Sequence, residues 1–179
     1  MTVRTLDFDR YEKNAIKNGW PPAYKERWAY HAMAIDAVKR LELLRPRAVL
    51  EIGSFGAQIV IGSDTMDLQS GEWKISGFKP TYSYDARVLP WPIESGKYAL
   101  LVALRLWHHL SPVQEQCFRE AKRIARNVLI ECPEKEVVGV GIARAQFIGW
   151  NNGVLPIEEH DMGEWGRLYL FGDGNAETI

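Results

Sequence analysis

The segment Ala48–Gly56 constrains the fold of this chain more than any other part of the sequence. It opens with the apolar run Ala48–Ile52, which is typical of a strand buried on both faces of a parallel sheet. Gly53 and Gly56 then allow a sharp turn and the close approach of a ligand to the backbone. Glu51 lies near the end of the predicted strand, where open α/β sheets bind their ligands. The segment therefore predicts a nucleotide-type binding loop in an α/β protein.

The apolar runs that follow are consistent with an α/β fold. Tyr98–Leu104 and Asn127–Cys132 suit buried strands, and Thr81–Tyr84 suits a short one. Helical spacing of apolar residues predicts one helix over residues 23–44 and another that begins at Ser111-Pro112. At 179 residues the chain can form one domain with its own core. We expect a single α/β domain with a Rossmann-like, mostly parallel sheet and flanking helices.

The region after the glycine loop departs from the usual strand–helix–strand order. Gln58–Gly62 is apolar and strand-like, where a crossover helix of about a dozen residues is expected. Asp64–Thr81 is rich in turn-forming residues, among them Gly77 and Pro80, and predicts a long connection or a hairpin. This region is therefore predicted to be atypical.

The composition excludes several classes of function. With 22 basic and 23 acidic residues the formal net charge is −1, which gives no electrostatic basis for binding nucleic acid or an anionic membrane. No apolar run approaches the length of a membrane span, and the N-terminus lacks a signal-peptide pattern. Cys117 and Cys132 have no metal-like or redox-like spacing. We expect a cytoplasmic protein without a metal site.

Three blocks of sequence, taken together and in order, resemble a known family. They are Val49–Ser54, Asp85–Pro92 and Tyr98–Leu110. In this order the blocks resemble the class I S-adenosylmethionine-dependent methyltransferases, in particular the small-molecule, type-11-like branch. The resemblance covers roughly residues 48–132, about the middle half of the chain.

The resemblance implies S-adenosyl-L-methionine as cofactor and a site for it. The glycine loop would lie against the methionine part, and an acidic side chain with the next backbone amide would meet the adenine. The implied cofactor-binding residues are Glu51, Gly53, Ser54, Phe55, Gly56, Asp67, Asp85, Ala86 and Arg105. The implied reaction transfers a methyl group to a small molecule, with a sugar or a polysaccharide precursor as the candidate acceptor. A homodimer is left open.

The resemblance also divides the single domain into three parts. Residues 1–46 would form an N-terminal helical cap, residues 47–132 the cofactor-binding core, and residues 133–179 a C-terminal segment on the substrate side. Substrate contacts are expected from three parts of the chain. The first is the N-terminal part, with Trp20, Tyr24 and Trp28; the second is Arg105–His109; and the third is the chain after Pro133.

The residue that holds the ribose is not decided by the sequence. Family members carry an acidic residue about 20 residues beyond the first motif, at the end of the second strand. Asp64 and Asp67 come earlier than that, so the ribose contact falls to Asp64, Asp67 or Glu51. On the residues alone, both aspartates also suit a turn, and Glu51 also suits an ion pair. Phe55 and Ala57 occupy positions where the family pattern has further glycines.

His108 and His109 follow the predicted strand Tyr98–Leu104 and are the candidate catalytic residues. Either imidazole could act as a general base towards a hydroxyl or an amine. Adjacent side chains point in different directions, so at most one of the two is expected to face the pocket. The alternative is that one packs and the other caps the next helix. His31 is expected to be structural.

Two other classes of function stay open on the sequence. One is a dinucleotide-dependent oxidoreductase or another nucleotide-binding protein, although Gly53-Ser54-Phe55-Gly56 lacks the full three-glycine fingerprint and its helix. The other is a degenerate methyltransferase-like protein that serves as a partner subunit.

Overall fold

A computed structural model describes residues 2–20, 23–69, 77–133 and 141–172 of the chain. Its helices are α1 Phe8–Lys17, α2 Tyr24–Arg40, α3 Gln114–Ile124 and α4 Arg144–Trp150. Its strands are β1 Val49–Ile52, β2 Asp64–Asp67, β3 Tyr82–Ser83, β4 Tyr98–Leu104, β5 Ala125–Cys132, β6 Glu158–Asp161 and β7 Arg167–Phe171. Short 3-10 turns cover Pro46–Ala48, Trp107–Leu110 and Gly163–Trp165.

The strands form one sheet in the order β3-β2-β1-β4-β5-β7-β6. Strands β1 to β5 pair in parallel, and β7 runs antiparallel between β5 and β6. The chain moves outward from β1 to β3 and then returns to the other side of β1 with β4. This reversal is the topological switch point at which open α/β sheets bind ligands. The predicted fold class, a mostly parallel sheet with flanking helices, is confirmed.

Each face of the sheet is covered by its own hydrophobic core. On one face, Tyr11 and Ala15 of α1 and Ala34 and Val38 of α2 pack with residues of β1, β4, β5 and β7. On the other, α3 and α4 pack with the sheet through a cluster of aromatic and aliphatic side chains. In α3 the buried residues are Cys117, Phe118, Ala121 and Ile124, whose spacing places them on one side of the helix.

The connection between β1 and β2 contains no helix, as the sequence predicted. Two backbone hydrogen bonds, Leu6 N to Ile59 O and Ile61 N to Arg4 O, attach it to the N-terminal segment instead, each 2.9 Å long. Only Val60 pairs there, in an isolated bridge, so the strand expected over Gln58–Gly62 does not join the sheet. The N-terminal segment therefore takes over part of the backbone bonding that a crossover helix would satisfy internally.

The Glu51 carboxylate holds the same connection from inside the protein. Its two oxygens accept hydrogen bonds from the Ile59 and Val60 amides and from the Ser63 hydroxyl, each 2.8 Å long. Glu51 is only 3% exposed, so these donors take the place of water around a buried acidic group.

Three predicted elements differ from those observed. The start of Asp64–Thr81 is strand β2, so the expectation of a long connection or hairpin was wrong for Asp64–Asp67, while residues 70–76 lie outside the described residues. The helix predicted over residues 23–44 stops at Arg40. The helix predicted from Ser111-Pro112 begins at Gln114, and no side chain caps it.

The three predicted parts of the single domain each contribute elements to the fold, and their assigned roles stay predictions. From residues 1–46 come α1 and α2, which cover one face of the sheet. From residues 133–179 come α4, β6 and β7, and β7 pairs with β5 of the core part. The C-terminal segment thus completes the sheet. No described helix combines the length and the apolar character that crossing a membrane requires.

Replacement of Glu51 tests its role in the β1–β2 connection. Glu51→Ala leaves two buried amides and a hydroxyl without an acceptor, so we expect the free energy of unfolding to fall by roughly 2–4 kcal/mol. Glu51→Gln keeps one acceptor oxygen and should cost less. Urea denaturation followed by circular dichroism measures both. The matched control is Glu94→Ala, an exposed position at which the change should stay within about 0.5 kcal/mol. An equally small loss in Glu51→Ala would contradict the account.

Candidate active site

A cavity of about 960 Å³ opens at the carboxyl ends of β1, β2 and β4. Such a volume lies at the upper end of the range for pockets that bind small molecules or cofactors. The predicted site residues that line it are Glu51, Gly53, Ser54, Phe55, Asp67, Asp85, Ala86, Arg105, His108 and His109. Gly56 is absent from the lining, and its carbonyl accepts a hydrogen bond from the Asn14 side chain. Ligand contact stays a prediction for every one of these residues.

The glycine loop and the end of β2 are joined by a carboxylate. Asp67 accepts hydrogen bonds from the Phe55 amide at 3.1 Å and the Ser54 hydroxyl at 3.3 Å. Gly53 has a φ of 69°, and a Cβ there would come within 3.0 Å of the Leu106 side chain. Because that conformation and that space both disfavour a side chain, glycine suits the first turn of the loop. Burial raises the pKa of Asp67 to about 6, while the bonds from Phe55 and Ser54 oppose the rise.

Glu51 is engaged by the β1–β2 connection, and Asp64 lies away from the cavity. Three of the lone-pair directions of the Glu51 carboxylate already accept hydrogen bonds within the protein. Burial raises the pKa of Glu51 to about 7 against the effect of these donors. Asp64 lies at the other end of β2, where it accepts a hydrogen bond from the Tyr98 hydroxyl, and it does not line the cavity.

Asp85 and Ala86 form the wall beyond β3. The Asp85 carboxylate accepts bonds from the backbone and guanidinium of Arg87, and this pairing holds the pKa of Asp85 below its usual range. The Ala86 carbonyl accepts a bond from the Trp91 indole at 2.9 Å. The Ala86 amide donates to no described residue. A ligand at this wall therefore meets one free backbone donor and a carboxylate that is already paired.

Arg105 follows β4 in a left-handed conformation, with a φ of 56°. Its amide donates to the Glu131 carboxylate at 2.9 Å, and its guanidinium donates to the Trp165 carbonyl at 3.1 Å. Glu131 is fully buried, and its Oε1 accepts no hydrogen bond from a described residue, although Arg105 Nη1 lies 3.6 Å away. Burial raises the pKa of Glu131 to about 8, and Arg105 opposes the rise. These contacts hold the Arg105 guanidinium at the cavity wall.

Both histidines line the cavity, and the expectation that at most one imidazole faces it stays a prediction. They belong to the 3-10 turn Trp107–Leu110, and their rings lie 3.9 Å apart. Burial lowers the pKa of both imidazoles, that of His108 to about 4, so both are neutral near pH 7. The Nδ1 of His108 is buried and makes no hydrogen bond with a described residue. A neutral imidazole can accept a proton from a substrate.

Helix α2 supplies cavity residues that the sequence did not single out. Arg27, Tyr30 and His31 all line the cavity, although His31 was expected to be structural. Trp20 lines it too, whereas Tyr24 and Trp28 do not. Their helical spacing places Arg27, Tyr30 and His31 on one side of α2, but only the docking of the helix decides that this side faces the site.

Comparisons with known proteins were made for sequence and for structure. No family model matches the chain, and no curated protein does. In structure it is similar to a candidate S-adenosyl-L-methionine-dependent methyltransferase from Methanococcus maripaludis, with a TM-score of 0.57, 16% identity and all of both chains covered. It is also similar to a chain in the complex between the Haloferax volcanii Trm112 methyltransferase activator and a candidate methyltransferase. That match has a TM-score of 0.54 and 14% identity, and it covers 91% of this chain and 82% of the other.

A third similar structure is a SAM-dependent methyltransferase from Aquifex aeolicus. Its TM-score is 0.50 at 13% identity, over 75% of this chain and 85% of that one. At such identities the likeness establishes the arrangement of strands and helices. This chain has the fold of the S-adenosylmethionine-dependent methyltransferases. Within the described part of this methyltransferase fold, no group of three His, Cys, Asp or Glu side chains could hold a metal ion.

The three buried carboxyl groups predict how stability depends on pH. The pKa values of Glu51, Asp67 and Glu131 in the folded protein all lie above the ordinary range. In these three groups the folded protein binds more protons than the unfolded chain between about pH 4 and 8, which lowers the stability as the pH rises. The lowered pKa values of His31, His108 and His109 act in the opposite direction below about pH 6.5 and offset part of this decrease. We expect the free energy of unfolding to be lower near pH 8 than near pH 5.5 by roughly 2 kcal/mol. Urea titrations at both pH values measure it.

Glu131→Gln removes one of the three titrating groups and should make this decrease smaller. An unfolding free energy that rises between the two pH values would show that the hydrogen-bond donors outweigh burial.

Proposed function

We propose that this protein is an S-adenosylmethionine-dependent methyltransferase that acts on a small molecule. The observation that carries the proposal is the position of Asp67 at the end of β2, beside the glycine loop and inside the cavity at the switch point. The methyltransferase fold of the structural neighbours supports it. The type-11-like branch and the identity of the acceptor stay predictions.

The ribose end of the cofactor fits the residues present. An ionised carboxylate has about four lone-pair sites, and Asp67 accepts from the Phe55 amide, the Ser54 hydroxyl and the Ser54 backbone. A ribose hydroxyl can use the remaining site. The donors of Glu51 belong to the β1–β2 connection, and Asp64 lies outside the cavity. We assign the ribose contact to Asp67, and the role of Glu51 is to shape the loop beneath it.

The other two ends of the cofactor also fit the cavity. The unpaired amide of Ala86 is a donor for a ring nitrogen of adenine, and the backbone around Gly53 allows close approach of the methionine part. Asp85 contributes less than the sequence suggested, because Arg87 already occupies both of its oxygens. Arg105 is held at the wall near the loop, where it can meet the methionine carboxylate.

The chain has a limited chemical task in such a reaction. When bound, the cofactor supplies a strongly electrophilic methyl group. The protein must hold the acceptor in line with that group and keep water out. His108 and His109 lie at the cavity wall and are neutral, so either can accept a proton from a hydroxyl or amine acceptor, although a pKa of about 4 makes His108 a weak base. We propose them as the catalytic bases.

The two alternatives receive less support from the geometry. A dinucleotide needs a helix N-terminus behind the glycine loop for its pyrophosphate, and the connection from β1 to β2 contains no helix. A degenerate subunit would need no cavity of this size, nor a free acceptor at Asp67. One structural neighbour comes from a complex with a methyltransferase activator, so a partner protein is an open possibility for this chain, as is a homodimer. The cytoplasmic location stays a prediction.

Isothermal titration calorimetry with S-adenosylmethionine, S-adenosylhomocysteine and NAD tests the proposal. We expect both sulfur compounds to bind and NAD not to. Asp67→Asn should weaken binding by about tenfold or more, because a charge-assisted hydrogen bond to the ribose is lost.

The matched control is Asp9→Asn on the exposed side of α1, where binding should be unchanged. Failure of the wild-type protein to bind either sulfur compound at high micromolar concentration would rule the methyltransferase out. Undiminished binding by Asp67→Asn would move the ribose contact to another residue.

A further inference from the structure

The cavity has a positively charged end that the cofactor contacts above do not use. Arg27 and Tyr30 lie three residues apart on α2 and both line the cavity. The guanidinium of Arg27 forms no hydrogen bond or ion pair within the described part of the chain. Lys17, at the end of α1, lines the same side and is exposed. These side chains come from α1 and α2, which cover one face of the sheet.

Trp165 connects this side to Arg105. Its ring lies 6.2 Å from that of Tyr30, and the Arg105 guanidinium lies over the indole at 5.8 Å. Burial raises the pKa of the Tyr30 phenol, Glu131 adds to the rise, and Arg27 and Arg105 oppose it. The guanidinium groups of Arg27, on α2, and Arg105, after β4, therefore both favour the ionised form of the Tyr30 hydroxyl.

No carboxylate among the described residues of the cavity forms an ion pair with Arg27. Glu51 and Asp67 keep their charges when ionised but accept their hydrogen bonds from the β1–β2 connection and the glycine loop, and Asp85 is paired with Arg87. Glu131 lies beside Arg105. The Arg27 guanidinium is therefore available to pair with a ligand. A ligand group that docks at this end is therefore attracted if it is an anion.

The wall beside Arg27 is aromatic, with Trp20, Tyr30 and His31 in the lining of the cavity. The rings of Tyr30 and His31 stack at 4.6 Å with an interplanar angle of 29°. The Nδ1 of His31 bonds to the Arg27 carbonyl at 3.0 Å, and since a carbonyl only accepts, this nitrogen carries the proton. Burial lowers the pKa of His31 to about 4, so the ring is neutral and adds no charge of its own. The surface suits a planar body with one anionic group.

We propose that the methyl acceptor is a small planar carboxylate, whose carboxylate group binds Arg27 and the Tyr30 hydroxyl. A guanidinium and a carboxylate match in geometry, and their charge-assisted hydrogen bonds are stronger than neutral ones. The inference rests on the proposed function, because it assigns the acceptor side of the same cavity. It replaces the sugar suggested by the resemblance with an acid.

The test compares an acid with its neutral isostere. Calorimetry measures the binding of 4-hydroxybenzoate and 4-hydroxybenzamide to the protein saturated with S-adenosylhomocysteine. We expect the acid to bind about tenfold more tightly than the amide. Arg27→Gln should reduce this preference to about twofold or less and leave the affinity for S-adenosylhomocysteine unchanged. The control Arg10→Gln, on the exposed side of α1 and outside the cavity, should keep the preference.

Each contrary outcome has a distinct meaning. If the wild-type protein does not prefer the acid, the inference is overturned. If Arg27→Gln weakens binding of S-adenosylhomocysteine instead, Arg27 serves the methionine carboxylate of the cofactor, and the inference is equally overturned. If S-adenosylhomocysteine does not bind at all, the proposed function fails, and the comparison of acid and amide on the protein alone still decides whether this end selects anions.

Discussion

The hydrogen bonds of the buried Glu51 carboxylate are the interaction on which the rest of the site depends. They hold the Ile59 and Val60 amides and the Ser63 hydroxyl in a connection that has no helix of its own. This connection brings the chain into β2 after eleven residues without a helix, and β2 then ends at Asp67, beside the glycine loop. Because a buried carboxylate is costly without donors, this arrangement also fixes the path of the connection. One acidic side chain thus accepts hydrogen bonds from backbone amides that a crossover helix would satisfy internally, while Ile59 and Val60 of the connection pack in the core.

The cavity has carboxylates on the side of the sheet and guanidinium groups on the side of the N-terminal cap, and the two kinds of group differ in their hydrogen-bond partners. On the side of the sheet, carboxylates accept hydrogen bonds from nearby backbone and hydroxyl groups, so they build the loop and offer their remaining lone pairs to a ligand. On the cap side, the Arg27 guanidinium has no partner among the described residues, and Arg105 is held by Glu131 and Trp165. A cofactor with hydroxyl groups suits the first side, and an anionic acceptor suits the second. The two histidines of the turn after β4 line the same cavity.

Much of the fold could be predicted from local sequence patterns. The roles of the individual residues in the candidate site could mostly not be predicted in this way. The runs at Val49–Ile52 and Tyr98–Leu104 are strands because continuous apolar residues suit a sheet buried on both faces. Strand β2 was missed because its sequence, Asp-Thr-Met-Asp, has the composition of a turn. Its two aspartates can be buried because both accept hydrogen bonds. Asp64 accepts one from Tyr98, which is distant in sequence, and Asp67 accepts one from the glycine loop on the far side of the β1–β2 connection. The side of α2 that faces the cavity was likewise set by packing against the sheet.

The most direct test of this account is a crystal structure of the protein with S-adenosylhomocysteine. The account predicts that the ribose hydroxyls bond to Asp67 and the adenine to the Ala86 amide. The Glu51 carboxylate should still accept its hydrogen bonds from Ile59, Val60 and Ser63. A structure in which the ribose binds Glu51 and the β1–β2 connection moves away, or in which the ligand lies outside the cavity, would contradict it.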